Sequence, residues 1–92
     1  MNNKTIEIGA LVISNCGRDN GKKYLVVGYA EQSMFVLCCD GNYRKQTNPK
    51  KKRIKHVKVY GIVESIQQKI QNNQKVFDSE IYSAISSFEI DS

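Results

Sequence analysis

Apolar residues fall in short runs over the first sixty positions and at helical spacing after them. Ile8 to Ile13 is a brief apolar run closed by Ser14-Asn15. Lys23 to Tyr29 carries Tyr24, Leu25, Val26, Val27 and Tyr29, the β-branched and aromatic types that suit a pleated surface. Phe35 to Cys39 is a third run, set off from the second by Glu31-Gln32-Ser33. Asp40-Gly41 predicts a tight hairpin, since glycine accepts the positive φ that such turns need, with Asn42 to Gln46 as a short fourth strand. Asn48-Pro49 marks a loop, and Ile54, His56 and Val57 to Tyr60 make a fifth strand with Lys55 and Lys58 toward solvent. Five short strands with no helical period among them predict a small barrel, whose closure removes exposed edges.

After Gly61 the period changes. Ile62, Ile66 and Ile70, with Val63 beside them, recur every fourth residue, and Asn72-Asn73 ends the run. Asp78 or Ser79 is placed to cap a second helix with Ile81, Tyr82, Ile85 and Phe88 on one face. The predicted fold is therefore mainly β with α: a five-stranded barrel over residues 1–60 and a short helical pair over 61–92 packed on it. A helical hairpin this short is marginal alone and needs the barrel to pack against.

Charge changes the picture from fold to function. Arg44, Lys45, Lys50, Lys51, Lys52, Arg53, Lys55 and Lys58 place eight of the fourteen basic residues within fifteen positions, and no acid stands between Asp40 and Glu64. Residues 1–60 hold twelve Lys or Arg against four acids, a net of +8, while residues 61–92 are net −3. Such self-repulsion points to a polyanionic partner for the first part, and its opposite in the second leaves the helices free for protein contact. No apolar segment reaches the roughly 18 residues of a membrane span, and the opening Met1-Asn2-Asn3-Lys4-Thr5 lacks the apolar run of a signal peptide. Three cysteines without a framework of spacings fit a reducing cytoplasm.

The segment Gly9 to Val27 reads as a short strand, a loop with glycines at Gly17 and Gly21, and a second strand, with Arg18, Lys22 and Lys23 beside the glycines. It resembles a KOW motif. Asp40-Gly41-Asn42-Tyr43-Arg44-Lys45, Asn48-Pro49-Lys50-Lys51-Lys52 and Ile54-Lys55-His56-Val57 extend the likeness over residues 7–60. In that order these segments resemble the small bacterial KOW-domain RNA-binding proteins, themselves similar to a eukaryotic and archaeal large-subunit ribosomal protein family. The resemblance implies an SH3-like barrel and RNA binding.

The candidate RNA-binding residues are thus Arg18, Lys22 and Lys23 in the Gly-loop, then Tyr43, Arg44, Lys45, Lys50, Lys51, Lys52, Arg53, Lys55, His56 and Lys58, with Gly17, Gly21 and Gly41 setting loop geometry. Arginine engages phosphate bidentately or stacks on bases, and tyrosine stacks on unpaired bases, Tyr43 first and Tyr24 second among the candidates. His56, the only histidine, has either a ligand or a packing role. Cys16, Cys38 and Cys39 lack the Cys-x₂₋₄-Cys spacing of zinc sites, and Cys38 and Cys39 must face opposite sides of a strand, one in the core and one partly exposed. Paired carboxylates, a phosphate loop and a nucleophile–base spacing are all missing from the pattern, so no enzyme, cofactor, metal or small-molecule substrate is expected. The expected function is binding of structured RNA, ribosomal RNA of the large subunit foremost, in translation. The alternative is a protein-interaction adaptor that uses the barrel and the C-terminal helices.

Overall fold

Strand alternation buries both faces of one sheet, and the two cores that result position everything else. The computed structural model describes residues 6–32 and 34–88; the expectations resting on Met1 to Thr5, on Ser33 of the Glu31-Gln32-Ser33 turn and on residues 89–92 lie outside the described residues. Five strands, β1 (Ala10–Ser14), β2 (Lys23–Ala30), β3 (Phe35–Cys39), β4 (Lys50–Arg53) and β5 (Val57–Ile62), form one sheet in the order β4-β3-β2-β1-β5. Every pairing is antiparallel. One turn of 3-10 helix, Gly17–Asp19, lies in the β1–β2 loop, and another, Ile54–His56, leads into β5. Two helices follow, α1 (Glu64–Gln71) and α2 (Asp78–Ser87). The mainly β architecture with a C-terminal helical pair agrees with the sequence pattern. Among the described residues, however, no ladder joins β4 to β5, so both remain edge strands.

The first core gathers Ala10, Val12, Tyr24, Val26, Val36 and Cys38 on one sheet face, with Ile6 and Val57. The second gathers Leu11, Leu25 and Cys39 on the other face, covered by Ile66, Val76 and Ile81 from the helical segment. Leu11, Leu25 and Ile81 are fully buried, each worth roughly 1.5–3 kcal/mol of transfer free energy. The helices are therefore the second layer of the sheet, and without them its outer face would be an apolar surface in water. This layer corrects the expectation for the cysteine pair. Cys38 and Cys39 do face opposite sides, but both are buried, because both sides are cores. Burial pushes each thiol up to about 12, which keeps both in the unreactive protonated form.

Four further expectations are corrected. Asn42 to Gln46 is not a strand. Asp40 closes a loop on itself, its Oδ1 accepting from the Asn42 N–H at 2.8 Å and the Arg44 N–H at 2.7 Å. The Gln46 N–H and side-chain amide then turn to the helical segment, donating to Asp78 Oδ1 at 2.9 Å and the Val76 carbonyl at 2.8 Å. The fourth strand is instead the lysine run itself, Lys50–Arg53. The cap of α2 is also displaced: Phe77 is the N-cap residue, Glu80 accepts from its N–H at 2.9 Å, and Asp78 is engaged by Gln46. Tyr82, expected on the buried face of α2, is exposed, and Ile62 ends β5 rather than opening α1.

Gly41 is where the 40s loop meets α2. Its φ is +78°, and a Cβ there would lie 2.3 Å from the Asp78 carbonyl oxygen and 2.7 Å from the Tyr82 nitrogen. Gly21 has a φ of +90° but open space around it. Gly41→Ala should therefore cost about 3 kcal/mol, from backbone strain plus a collision with helix backbone, whereas Gly21→Ala should cost only about 1–2 kcal/mol. Urea unfolding midpoints of the two variants, compared at constant m-value, measure the difference.

Candidate nucleic-acid interface

The lysine run alternates as a strand must, and this divides it. Lys50 and Lys52 pair with Cys38 and Val36 across the β3–β4 ladder and share the first core's face, whereas Lys51 and Arg53 pair with Leu37 and Phe35 and share the opposite face. On the inner side, Asp19 of the Gly-loop receives the lysines. Lys50 Nζ lies 2.6 Å and Lys52 Nζ 3.6 Å from its Oδ2, and Lys22 Nζ lies 3.8 Å from Oδ1. The Lys52 side chain is only 10% exposed and that of Asp19 11%. The hydrogen bond from Lys50, then the fields of Lys52 and Lys22, hold the Asp19 carboxyl below its ordinary value against the opposing effect of burial. On the outer side, Lys51 Nζ and the Arg53 guanidinium carbon stand 4.8 and 4.9 Å from the Phe35 ring centroid, and Lys51 also pairs with Glu31.

The Gly-loop is fixed independently of these charges. Ser14 N–H donates to the Lys22 carbonyl at 2.9 Å, and Gly21 N–H donates back to the Ser14 carbonyl at 2.8 Å. Asn15 N–H reaches the His56 carbonyl at 2.9 Å, which ties the loop to the turn before β5. Gly17 and Gly21 both take positive φ.

Two depressions result. One, of about 310 Å³, runs past Cys16, Arg18, Phe35, Lys51, Arg53 and His56. The other, of about 480 Å³, lies between Lys22, Lys23, Tyr43 and Arg44, with Ile85 of α2 on its wall. Asp19 and Lys50 line both, so the two adjoin across that ion pair. The fold thus brings together most of the cations proposed from sequence. Lys45, Lys55 and Lys58 are exposed but line neither depression. Tyr43 is 89% exposed, while Tyr24 is buried, so the two stacking candidates stand very differently. Tyr29 donates its hydroxyl to the Ile6 carbonyl at 2.6 Å, and Tyr60 packs edge-on against Phe88 with centroids 5.6 Å apart.

Two residues of the site escaped the sequence reading. Asp19 was one acid in a basic loop, and only the inward phase of Lys50 and Lys52 gives it a role. Phe35 stood only as the first residue of the third apolar run, and it lies beneath two cations. Among the described residues no three His, Cys, Asp or Glu side chains gather as a metal site, and no helix is long and apolar enough to cross a membrane. The chain matches no protein-family model, and no curated protein matches it.

The Asp19 cluster has a pH signature. A carboxyl whose value is depressed by folding stabilises the protein at every pH above its unfolded value near 3.8, and that stabilisation is lost as pH falls through the lower folded value. Asp19→Asn should therefore cost about 2 kcal/mol at neutral pH, and the gap to the natural protein should shrink below pH 4. Urea melts of both proteins across this range measure it.

Proposed function

We propose that the protein is an RNA-binding module that holds structured ribosomal RNA, on the large subunit or during its assembly. The observation that carries this reading is the pair of adjoining basic depressions on rigid loops, joined through the Asp19–Lys50 pair. Arg18 and Arg53, which line the smaller depression, would meet one stretch of phosphate and Lys23, in the larger, another, each without a carboxylate partner among the described residues. Arginine's planar fork suits phosphate oxygens, and a fixed spacing between two cationic loops reads the shape of a folded RNA better than its sequence. The action is binding, with no covalent step. The likeness of residues 7–60 to KOW-domain proteins supplies the ribosomal target, and the odd, unpaired cysteines supply a cytoplasmic setting in translation.

A second reading, a protein adaptor, draws support from the exposed Phe77 and Tyr82 at the start of α2 and from Val59 and Ile62 on β5. Co-sedimentation with ribosomal particles separates the two: retention on large subunits through a high-salt wash supports the RNA reading, and absence from particles even at low salt rejects it in favour of the adaptor.

The cations to alter are those outside the Asp19 cluster, because neutralising Lys50 or Lys52 would also strand a buried carboxylate. The triple variant Arg18→Gln, Lys23→Gln, Arg53→Gln should keep its unfolding midpoint and lose roughly 30-fold in affinity for a structured ribosomal RNA fragment at moderate salt. Its plot of log affinity against log salt should flatten by about 2–3, the release of counterions from three phosphates. Filter binding across a salt series reads both quantities, and an unchanged slope rejects this surface.

A further inference from the structure

The larger depression differs in chemistry from the smaller one. Lys22, Lys23, Arg44 and the Asp19–Lys50 pair line it, but Ile85 and Tyr24 add apolar surface. Its volume of about 480 Å³ falls within the roughly 300–1,000 Å³ of small-ligand sites. A groove meant for phosphate alone has no use for an apolar wall. A flat, partly apolar group tethered to an anion uses both.

Tyr43 is the second observation. It is 89% exposed, the most exposed large hydrophobic side chain among the described residues, and it lines this cavity. The loop that carries it is rigid. Asp40 Oδ1 holds the Asn42 and Arg44 N–H groups, the Asp40 and Gly41 N–H groups donate to the Arg44 carbonyl at 2.9 and 3.2 Å, and Gly41 is seated against α2. A large ring left in solvent on a loop braced by these backbone bonds offers an aromatic platform. Polar edges are also provided. The Tyr24 phenol, among the groups that line the cavity, is a hydrogen-bond donor. Asp40 supplies a carboxylate acceptor beside it.

We propose that the cavity between the Gly-loop, the 40s loop and α2 is a subsite for one unstacked nucleotide of the bound RNA, its base against Tyr43 and Ile85 and its phosphate between Lys23 and Arg44. The proposal rests on the RNA-binding reading and adds to it a target class: helical RNA interrupted by an extruded nucleotide, rather than a continuous duplex. It also gives α2, from the acidic part of the chain, a place in the RNA surface.

The test compares a 12-base-pair RNA duplex with the same duplex carrying one bulged 2-aminopurine, whose fluorescence reports its surroundings. The bulged RNA should bind about tenfold tighter, with a change in fluorescence. Tyr43→Ala should bring the ratio of the two affinities to about one, and Tyr43→Phe should restore the preference. Equal affinity for the two RNAs, both weakened by the triple variant above, overturns the nucleotide subsite and leaves the RNA surface standing. Failure to bind either RNA at low salt overturns the RNA reading itself. A bulge preference that survives Tyr43→Ala overturns this cavity as its source. Free nucleoside monophosphates should bind only at millimolar concentration; micromolar binding would make the cavity a site for free nucleotides and overturn its assignment to RNA.

Discussion

Asp19 is the point at which the two basic segments of this chain become one surface. Without it, the inward-facing lysines of β4 would bring positive charge against the face of a hydrophobic core, where an unpaired ammonium costs several kcal/mol. With it, their aliphatic stems cover Val36 and Cys38 while their ammonium groups converge on one carboxylate. The same carboxylate sits in the Gly-loop, so the pairing that makes β4 tolerable also fixes the distance between Arg18 and Arg53 on one side and Lys23 on the other. An interface that reads RNA shape needs that distance to be constant. The price of such fixity is that three of the fourteen cations are committed before any ligand arrives.

The helical pair serves the site in a parallel way. Charge divides the chain into a basic and an acidic part, which suggests two independent functions, but packing does not respect that division. Leu11, Leu25 and Cys39 of the sheet share a core with Ile66, Val76 and Ile81. Asp78 and the Val76 carbonyl take the donors of Gln46, and Gly41 lies against the first turn of α2. The 40s loop, which carries Tyr43 and Arg44, is therefore braced from the acidic side. Lys69 and Glu80 join the two helices to each other across their solvent side, and that hydrogen bond, followed by the one from the Phe77 N–H, lowers the Glu80 carboxyl from its ordinary value.

What could be read from sequence follows from which physical signals are local. β2, β3 and both helices were legible because burial on a sheet face or helix stripe imposes a period that apolar residues must follow. The fourth strand was not. Lys50–Arg53 has no apolar residue, so periodicity is silent there, and only pairing with β3 makes it a strand. Asp40-Gly41 misled for the opposite reason: the local signal was real, but the positive φ of Gly41 serves a close approach to α2 instead of a two-residue hairpin. Likewise Cys38-Cys39 gave the right alternation and the wrong exposure, since one strand cannot announce that its outer face will be covered thirty residues later. The candidate cations were legible as a set, but their division into committed and available members depended on strand phase and on Asp19.

That division changes how affinity should be reckoned. A net charge of +8 over residues 1–60 overstates the field presented to a phosphate backbone, because a lysine already hydrogen-bonded to a carboxylate must give up that bond, or share it, before it gains from another anion. Lys51, paired with the exposed Glu31, can exchange partners at little cost, since such surface pairs are worth about 0–1 kcal/mol. Lys52, with a side chain 10% exposed and facing the core, cannot. Arg18, Lys23 and Arg53 have no carboxylate to release among the described residues, and they flank the cluster on either side. On the proposed reading, affinity for RNA is carried by these three residues beside the cluster. The dense centre, which first draws the eye in the sequence, keeps them the right distance apart.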